Sequence, residues 1–387
     1  MTMLWRGLVR IIALALLFSN GSLFVVAETV ERRPADRPQP RGSSDPAGAY
    51  TISGGYLFGP MIARGRENRI HMLFYRGVDH YWKGHATVGY ARSEDDGASW
   101  RVLPDIVSHT DGSVHDRFAA FGQAASGRLI AMFVRRVGVN GSPVLHQVWS
   151  DDDGTTWHEP VPSQVTSSDS KVPKGDWHYP FGRIERTPAG KLAVMSYMVE
   201  DNFVLTSNDE GRTWTSRLVV SSGRPNYSEM GLELISENVW IAVSRIDNEI
   251  NRMAQFVSED AGRSWRLQGP LEIEASPWNV APSIDAVVRN GRRVLLVSYC
   301  NRKSASCWLR EADPAEAAKS PEAWRRPTLL DEGLVGLSGY QSILQSRDGH
   351  HLIAAITRER SVAESDVLVW RLPLPGTANT AGKSNVR

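Results

Sequence analysis

Six arginines, Arg76, Arg117, Arg135, Arg245, Arg302 and Arg358, fall at matching points of a unit that recurs along the chain. Arginine grips a planar carboxylate with two parallel hydrogen bonds, so the recurrence points to an anionic ligand. Glu229 and Tyr340 occupy the same kind of position, and Asp79, Asp116, His115, Trp177, His178 and Tyr179 lie close to it in sequence. His178 and Tyr179 could act as base and acid for proton abstraction beside a uronate carboxylate. The competing reading is that the arginines only end strands and reach solvent. Lys and Arg total 44 against 43 Asp and Glu, a net charge of +1. No global field favours nucleic acid or an anionic membrane, so any pull on an anion must be local.

The elements that would position these residues announce themselves through a repeat. Ser93-Glu94-Asp95-Asp96-Gly97-Ala98-Ser99-Trp100 returns as Ser150-Asp151-Asp152-Asp153-Gly154-Thr155-Thr156-Trp157. It returns again at Ser207 to Trp214 and at Ser258 to Trp265, always as S-x-D-x-G-x-[S/T]-W. Self-similarity at such a spacing marks propellers or arrays. Each copy has turn chemistry: the Asp accepts backbone N–H bonds, the Gly takes positive φ, and the Trp packs the turn down. The run Asp151, Asp152 and Asp153 is no EF-hand, because its twelfth loop position is not Glu.

Around the boxes runs a two-strand unit. Its copies start at Tyr56, His115, Trp177, Tyr227, Trp278 and Tyr340, turn at Gly or polar residues, and end at Arg76, Arg135-Arg136, Tyr197, Arg245, Asn301-Arg302 and Arg358. Short strands at regular spacing predict an all-β closed array, a six-bladed β-propeller whose fifth and sixth blades lack the box. Only Pro314 to Trp324 reads as a surface helix. First-strand starts and second-strand ends should then face the central axis.

The boxes resemble those of the sialidase (neuraminidase) superfamily, where they join the outer strands of propeller blades on the face away from the active site. In the fourth unit, Tyr227-Ser228-Glu229 followed by Arg245 and the Ser258 box resembles the matching sialidase segment. The resemblance implies that Glu229 partners the nucleophile and that Arg245 is one of three substrate-carboxylate arginines. Gly339-Tyr340-Gln341-Ser342 resembles the nucleophile strand, with Tyr340 as nucleophile, and Asp79 stands in the loop that would bring the acid/base. Phe58-Gly59-Pro60 occupies the place of the family's Arg-Ile-Pro. Arg302 is the nearest match for the fifth-blade arginine, and Arg117 or His115 could supply a cation from the second blade. A neutral phenol suits a sugar whose anomeric carbon bears a carboxylate, because a carboxylate nucleophile would meet that charge head-on.

Residues 1–27 read as a secretory signal peptide, with Arg6 and Arg10 beside an apolar run from Ile11 and Val25-Val26-Ala27 before the cleavage point. An uncleaved anchor is the alternative. Residues 28–49 read as a Pro/Arg-rich disordered linker, 50–372 as the propeller and 373–387 as a disordered tail. Cys300 and Cys307 could close a hairpin as a disulfide or remain free thiols, and neither has zinc-ligand spacing. The expected protein is secreted or periplasmic and acts on an acidic glycan or polysaccharide, with substrate contacts from Arg245, Arg302, Arg76, Arg117, His178 and Tyr179. The pattern calls for no cofactor and no metal. An endo-acting depolymerase or lyase, and a non-catalytic glycan- or protein-binding propeller, are the alternatives.

Overall fold

The computed structural model describes residues 41–44, 49–80, 84–138, 140–167, 178–198, 201–221, 225–247, 252–272, 279–302, 304–332 and 338–374. The signal-peptide expectation for 1–27 therefore lies outside the described residues, as do Trp177 and the chain beyond Leu374. No helix among the described residues is long and apolar enough to cross a membrane.

Six antiparallel units succeed one another along the described chain. Blade one takes strands Tyr56–Arg64, Ile70–Gly77, Thr87–Ser93 and Arg101–Val107. Blade two takes Val114–Gln123, Leu129–Val137, Val144–Ser150 and the short Val161–Pro162. Blade three takes Tyr179–Arg186, Leu192–Met198, Asp201–Ser207 and Thr213–Ser221. Blade four runs Tyr227–Leu234, Trp240–Ile246, Arg252–Ser258 and Arg266–Glu272, and blade five Asn279–Arg289, Arg292–Asn301, Ser306–Ala312 and Thr328–Glu332. Blade six has three strands of its own, Gly339–Gln345, His351–Ser361 and Glu364–Pro373. Its fourth is Tyr50–Ser53 from the other end of the chain. This is the expected six-bladed propeller, and the first blade and the last are joined by strand pairing. Middle strands such as Ile70–Tyr75 are buried on both faces because blades pack face to face.

All four boxes fold alike. In each, the Gly N–H donates to the Ser Oγ at 2.8–2.9 Å, and the Asp carboxylate accepts from the backbone N–H and the hydroxyl of the Ser or Thr four residues on. The residue between Asp and Gly (Asp96, Asp153, Glu210 or Ala261) holds φ near 60°. In the first three boxes its carboxylate reaches the first hairpin turn of the preceding blade, while at Ala261 Lys191 of that turn donates to the backbone carbonyl. Asp153 accepts from the Arg66 N–H at 3.0 Å and pairs with Arg69 and His71; Glu210 accepts from the Ser126 N–H. Asp96 accepts from the Arg347 N–H at 2.8 Å and so ties blade one to blade six. The box tryptophans follow: Trp157 packs edge-on to Tyr90 of blade one, and Trp214 donates to Gln147 of blade two.

Three expectations are revised. The linker expected over 28–49 contains a strand, Arg41–Ser44, which pairs antiparallel with Tyr50–Ser53 because that outermost strand offers an open edge. The propeller extends past 372, since Pro373 is still in the ladder and Leu374 is buried with its N–H bonded to His350. The helix expected from Pro314 is one turn, Pro314–Ala317, followed by a 3-10 turn at Pro321–Ala323. Cys300 and Cys307 form a disulfide between directly paired residues of neighbouring strands.

Candidate active site

Each innermost strand breaks register as it nears the axis. The irregularities lie between Phe58 and Met61, Arg117 and Ala120, Phe181 and Glu185, Ser228 and Gly231, Val280 and Ser283, and Gly339 and Ser342. A bulge re-aims side chains toward the axis while the rest of the strand stays in its ladder. At four of these bulges the chain takes positive φ, at Gly59, Gly182, Glu229 and Tyr340. Glycine does this freely. Glu229 (φ 46°) and Tyr340 (φ 56°) do it at a cost of about 1–3 kcal/mol each, of the sort found at functional sites.

These two residues meet. The Tyr340 hydroxyl donates to Glu229 Oε1 at 2.5 Å, and both side chains are buried. Arg245 Nη1 lies 2.8 Å from Glu229 Oε2 and 3.4 Å from Tyr340 Oη, while its Nε pairs with Asp247 at 2.7 Å. Burial and the Glu229 charge hold the Tyr340 phenol well above its ordinary pKa, against the opposing pull of Arg245 and Arg302. Arg302 stands over the Tyr340 ring, 5.6 Å from its centroid, and donates from Nε to the Ser338 carbonyl.

A third guanidinium comes from blade two. Arg117 lies over the Tyr75 ring at 5.3 Å. Its field reaches His80 together with those of Arg302 and Arg245, and burial plus these three positive charges lowers the His80 pKa to about 3. The neutral His80 ring packs on Phe58 at 4.6 Å, and Phe58 packs on Tyr340 at 4.5 Å. Where the family resemblance leads one to expect a first-blade arginine, an aromatic wall stands instead, and Arg117 approaches from the side. Below it, Tyr56 donates to Glu359 at 3.2 Å. Arg245 and Arg302 contact the Tyr340–Glu229 pair, and the field of Arg117 reaches the neighbouring His80 with theirs, a concentration of guanidinium charge of the kind that grips carboxylates.

The settings of the other expected residues differ. Arg76 is captured by Asp105 on the outer strand of its own blade, with Thr87 bonded to the same carboxylate, so it does not join the cluster. Arg135 pairs with buried Asp116, which also holds His109. Arg358 sits opposite Asp366 in the blade-six ladder. His178 is buried against Ser196 and Phe203, and burial lowers its pKa to about 4. Tyr179 stacks on Tyr197 at 5.5 Å and lies within the fields of Arg136 and Arg117. Asp79 follows blade one's second strand, and its carbonyl accepts from the Tyr75 hydroxyl at 3.0 Å.

Tyr197, His80 and Asp247 escaped sequence reasoning. For Tyr197 a signal existed, because it ends a second strand where other blades carry arginine, and Glu229 and Tyr340 both act on its phenol. No group of three or more His, Cys, Asp or Glu side chains suited to a metal occurs among the described residues.

The profile of the BNR repeat-like domain matches residues 119–353, more than half of the sequence. The chain belongs to the BNR repeat-like family. Its fold is also similar to that of the Hadza microbial sialidase Hz136, at 20% identity and TM-score 0.68 over 84% of this chain and 66% of that one. The NanB sialidase from Streptococcus pneumoniae is similar at 12% identity and TM-score 0.64, over 84% and 69% of the two chains. A Trypanosoma rangeli sialidase solved in complex with sialic acid matches at 18% identity and TM-score 0.60, over 89% and 58%. This propeller thus spans about two thirds or less of the length of these sialidases. Comparison with curated proteins finds no match.

Proposed function

We propose that this propeller is an extracytoplasmic glycoside hydrolase of sialidase type, acting on sialic acid-containing or related acidic glycans. The observation that carries the reading is the 2.5 Å hydrogen bond from Tyr340 to Glu229 in contact with Arg245 and Arg302, with the charge of Arg117 close by. In this mechanism the arginines hold the substrate carboxylate. Glu229 accepts the phenol proton as Tyr340 Oη bonds to the anomeric carbon, and Asp79 gives a proton to the departing glycosidic oxygen. Arg245, in contact with both Glu229 and Tyr340, offsets the negative charge that builds on the phenol oxygen. Water then cleaves the glycosyl–tyrosine bond, with Asp79 taking the water proton and Glu229 returning its own to Tyr340. The similarity to sialidases, one of them solved with sialic acid, supports the substrate class.

Hydrolysis is favoured over a lyase reaction by the state of His178. It is buried, bonded to Ser196 and poorly able to take a proton, whereas Tyr340 and Glu229 face each other across the axis. The test is incubation with a chromogenic sialoside and with acidic oligosaccharides. Release of the acidic sugar supports the proposal. An unsaturated product absorbing in the ultraviolet would mean lyase chemistry, and retained glycan binding without either product would mean a binding module.

A further inference from the structure

The left-handed backbone at Tyr340 is unfavourable for a tyrosine, so something outside its own strand must hold it. Within blade six, Gly339 pairs with Thr357 and Ser338 Oγ accepts from the Glu359 N–H, but the contacts that leave the blade on either side of Tyr340 run to blade five. Gln341 is buried, and its side chain crosses the blade boundary. Nε2 donates to the Ala281 carbonyl at 2.9 Å and to the Ser298 carbonyl at 2.6 Å. Ala281 lies inside blade five's own bulge, between Val280 and Ser283, where the ladder leaves its carbonyl aside. The Gln341 Oε1 lies 3.1 Å from Cys300 Sγ, a disulfide sulfur that has no proton to donate, so this is a packing contact. On the other side of Tyr340, Gly339 has φ 116° and presses on the same wall. A Cβ there would meet Val280 Cγ2 at 2.4 Å and Cys300 Cβ at 3.4 Å. The Ser338 carbonyl accepts from Arg302. Residues 338, 339 and 341 thus each touch blade five, while the residue between them turns away to reach blade four's Glu229.

We propose that Gln341 is a positioning residue for Tyr340. By docking into the bulge and disulfide wall of blade five, it fixes the strained backbone that brings the phenol to within 2.5 Å of Glu229. It does not touch substrate in this scheme. A glutamine suits the task because its NH2 supplies two donors, one for each carbonyl, at the end of a side chain long enough to cross between blades. Leucine would fill the space and leave both carbonyls without this donor. A glutamate would offer one donor when protonated and none when ionised.

This inference rests on the hydrolase reading, and its experiment separates the two. Gln341→Leu and Gln341→Glu are assayed for kcat and KM, and the phenol of Tyr340 is followed by NMR of carbon-labelled tyrosine, assigned with Tyr340→Phe. Misplacing a reacting group by about an ångström costs about 100-fold in rate. Gln341→Leu should therefore lose about that much kcat, with KM close to wild type because the arginines remain. Its Tyr340 phenol should titrate nearer an ordinary tyrosine as it leaves Glu229. Gln341→Glu should regain activity relative to wild type as pH falls and its carboxyl protonates. Wild-type kcat together with an unmoved phenol titration in Gln341→Leu would overturn the proposal, as would a rise in KM alone. If Gln341→Leu does not fold, Gln341→Glu decides by the same two readouts. If the wild type releases no sugar, the hydrolase reading fails while the phenol titration still tests the clamp.

Discussion

Tyr340 and Glu229 are 111 residues apart in sequence and 2.5 Å apart in space, and both hold left-handed backbone. Glu229 opens blade four and Tyr340 opens blade six, so ring closure alone brings them together. Each lies in a bulge of its innermost strand, where the ladder is interrupted and the side chain is turned to the axis. The pair therefore joins two stored local strains through one short hydrogen bond. Such an expenditure of stability is easier to explain at a reacting centre than in a scaffold.

Removing the phenol oxygen should abolish turnover with little change in fold. Tyr340→Phe keeps the ring that packs on Phe58 and lies beneath Arg302. We expect kcat to fall about 100- to 10,000-fold, the range of a lost nucleophile–base pair, with Tm nearly unchanged. Activity assay beside differential scanning calorimetry checks this, and retention of more than a tenth of the turnover would exclude Tyr340 as nucleophile.

Arg245 has a different role and should fail differently. Its Nη1 contacts Glu229 and Tyr340 while Nε holds Asp247, so a lysine cannot reproduce the geometry although it keeps the charge. Arg245→Lys should weaken binding of a carboxylate-bearing sugar about tenfold or more, the loss of one charge-assisted bond. Titration calorimetry with a non-hydrolysed acidic sugar gives the number, and unchanged affinity would remove Arg245 from the grip.

The propeller was legible because its turns are spelled out in S-x-D-x-G-x-[S/T]-W, which states both the spacing and the turn chemistry. The closing strand Tyr50–Ser53 was not, since four residues with no turn signal pair with a segment at the far end of the chain. Within the site, unit position singled out arginines but could not choose among them. Arg76 and Arg245 sit at equivalent strand ends, yet Asp105 on an outer strand captures Arg76. Such a choice depends on a partner in another strand that no local pattern names. His80 was missed for a related reason, as its role comes from three arginines contributed by three other blades. The backbone strain at Glu229 and Tyr340 was invisible because neither residue type suggests positive φ.

The fourth residue of each box makes a separate prediction about stability. Asp153 is buried and holds the Arg66 N–H, Arg69 and His71 of the preceding blade. Asp153→Ala removes an acceptor from the buried His71 ring and from the Arg66 N–H, while Arg69, one-third exposed, keeps Glu94; a buried group left unpaired costs about 1–3 kcal/mol. At the same box position Ala261 has no carboxylate, so Ala261→Ser should be nearly neutral by comparison. Chemical denaturation of both variants distinguishes them, and equal midpoints would refute this stabilising role of Asp153 between the blades.

Acid should weaken the fold through its buried histidines. Burial lowers the pKa of His71; it brings His115 and His178 to about 4 and His80 to about 3. An unfolded histidine takes up its proton near 6.5, while these folded ones refuse it, so the unfolded state binds more protons as pH drops. Their contribution to stability is therefore complete above about pH 6.5 and is lost as pH falls toward the folded values. For His178, which is almost wholly buried, a pKa near 4 corresponds to about 3 kcal/mol lost once both states are protonated. Among the described residues, the groups facing it are Ser196 and the edge of Phe203, and no carboxylate is hydrogen-bonded to the ring to offset the proton. His178→Gln keeps a polar group near Ser196 and removes the titration. Denaturant midpoints measured from pH 7.5 to pH 4.5 should fall steeply in wild type and less steeply in His178→Gln. Parallel curves would show that His178 already binds its proton in the folded protein, and the burial argument for it would then be wrong.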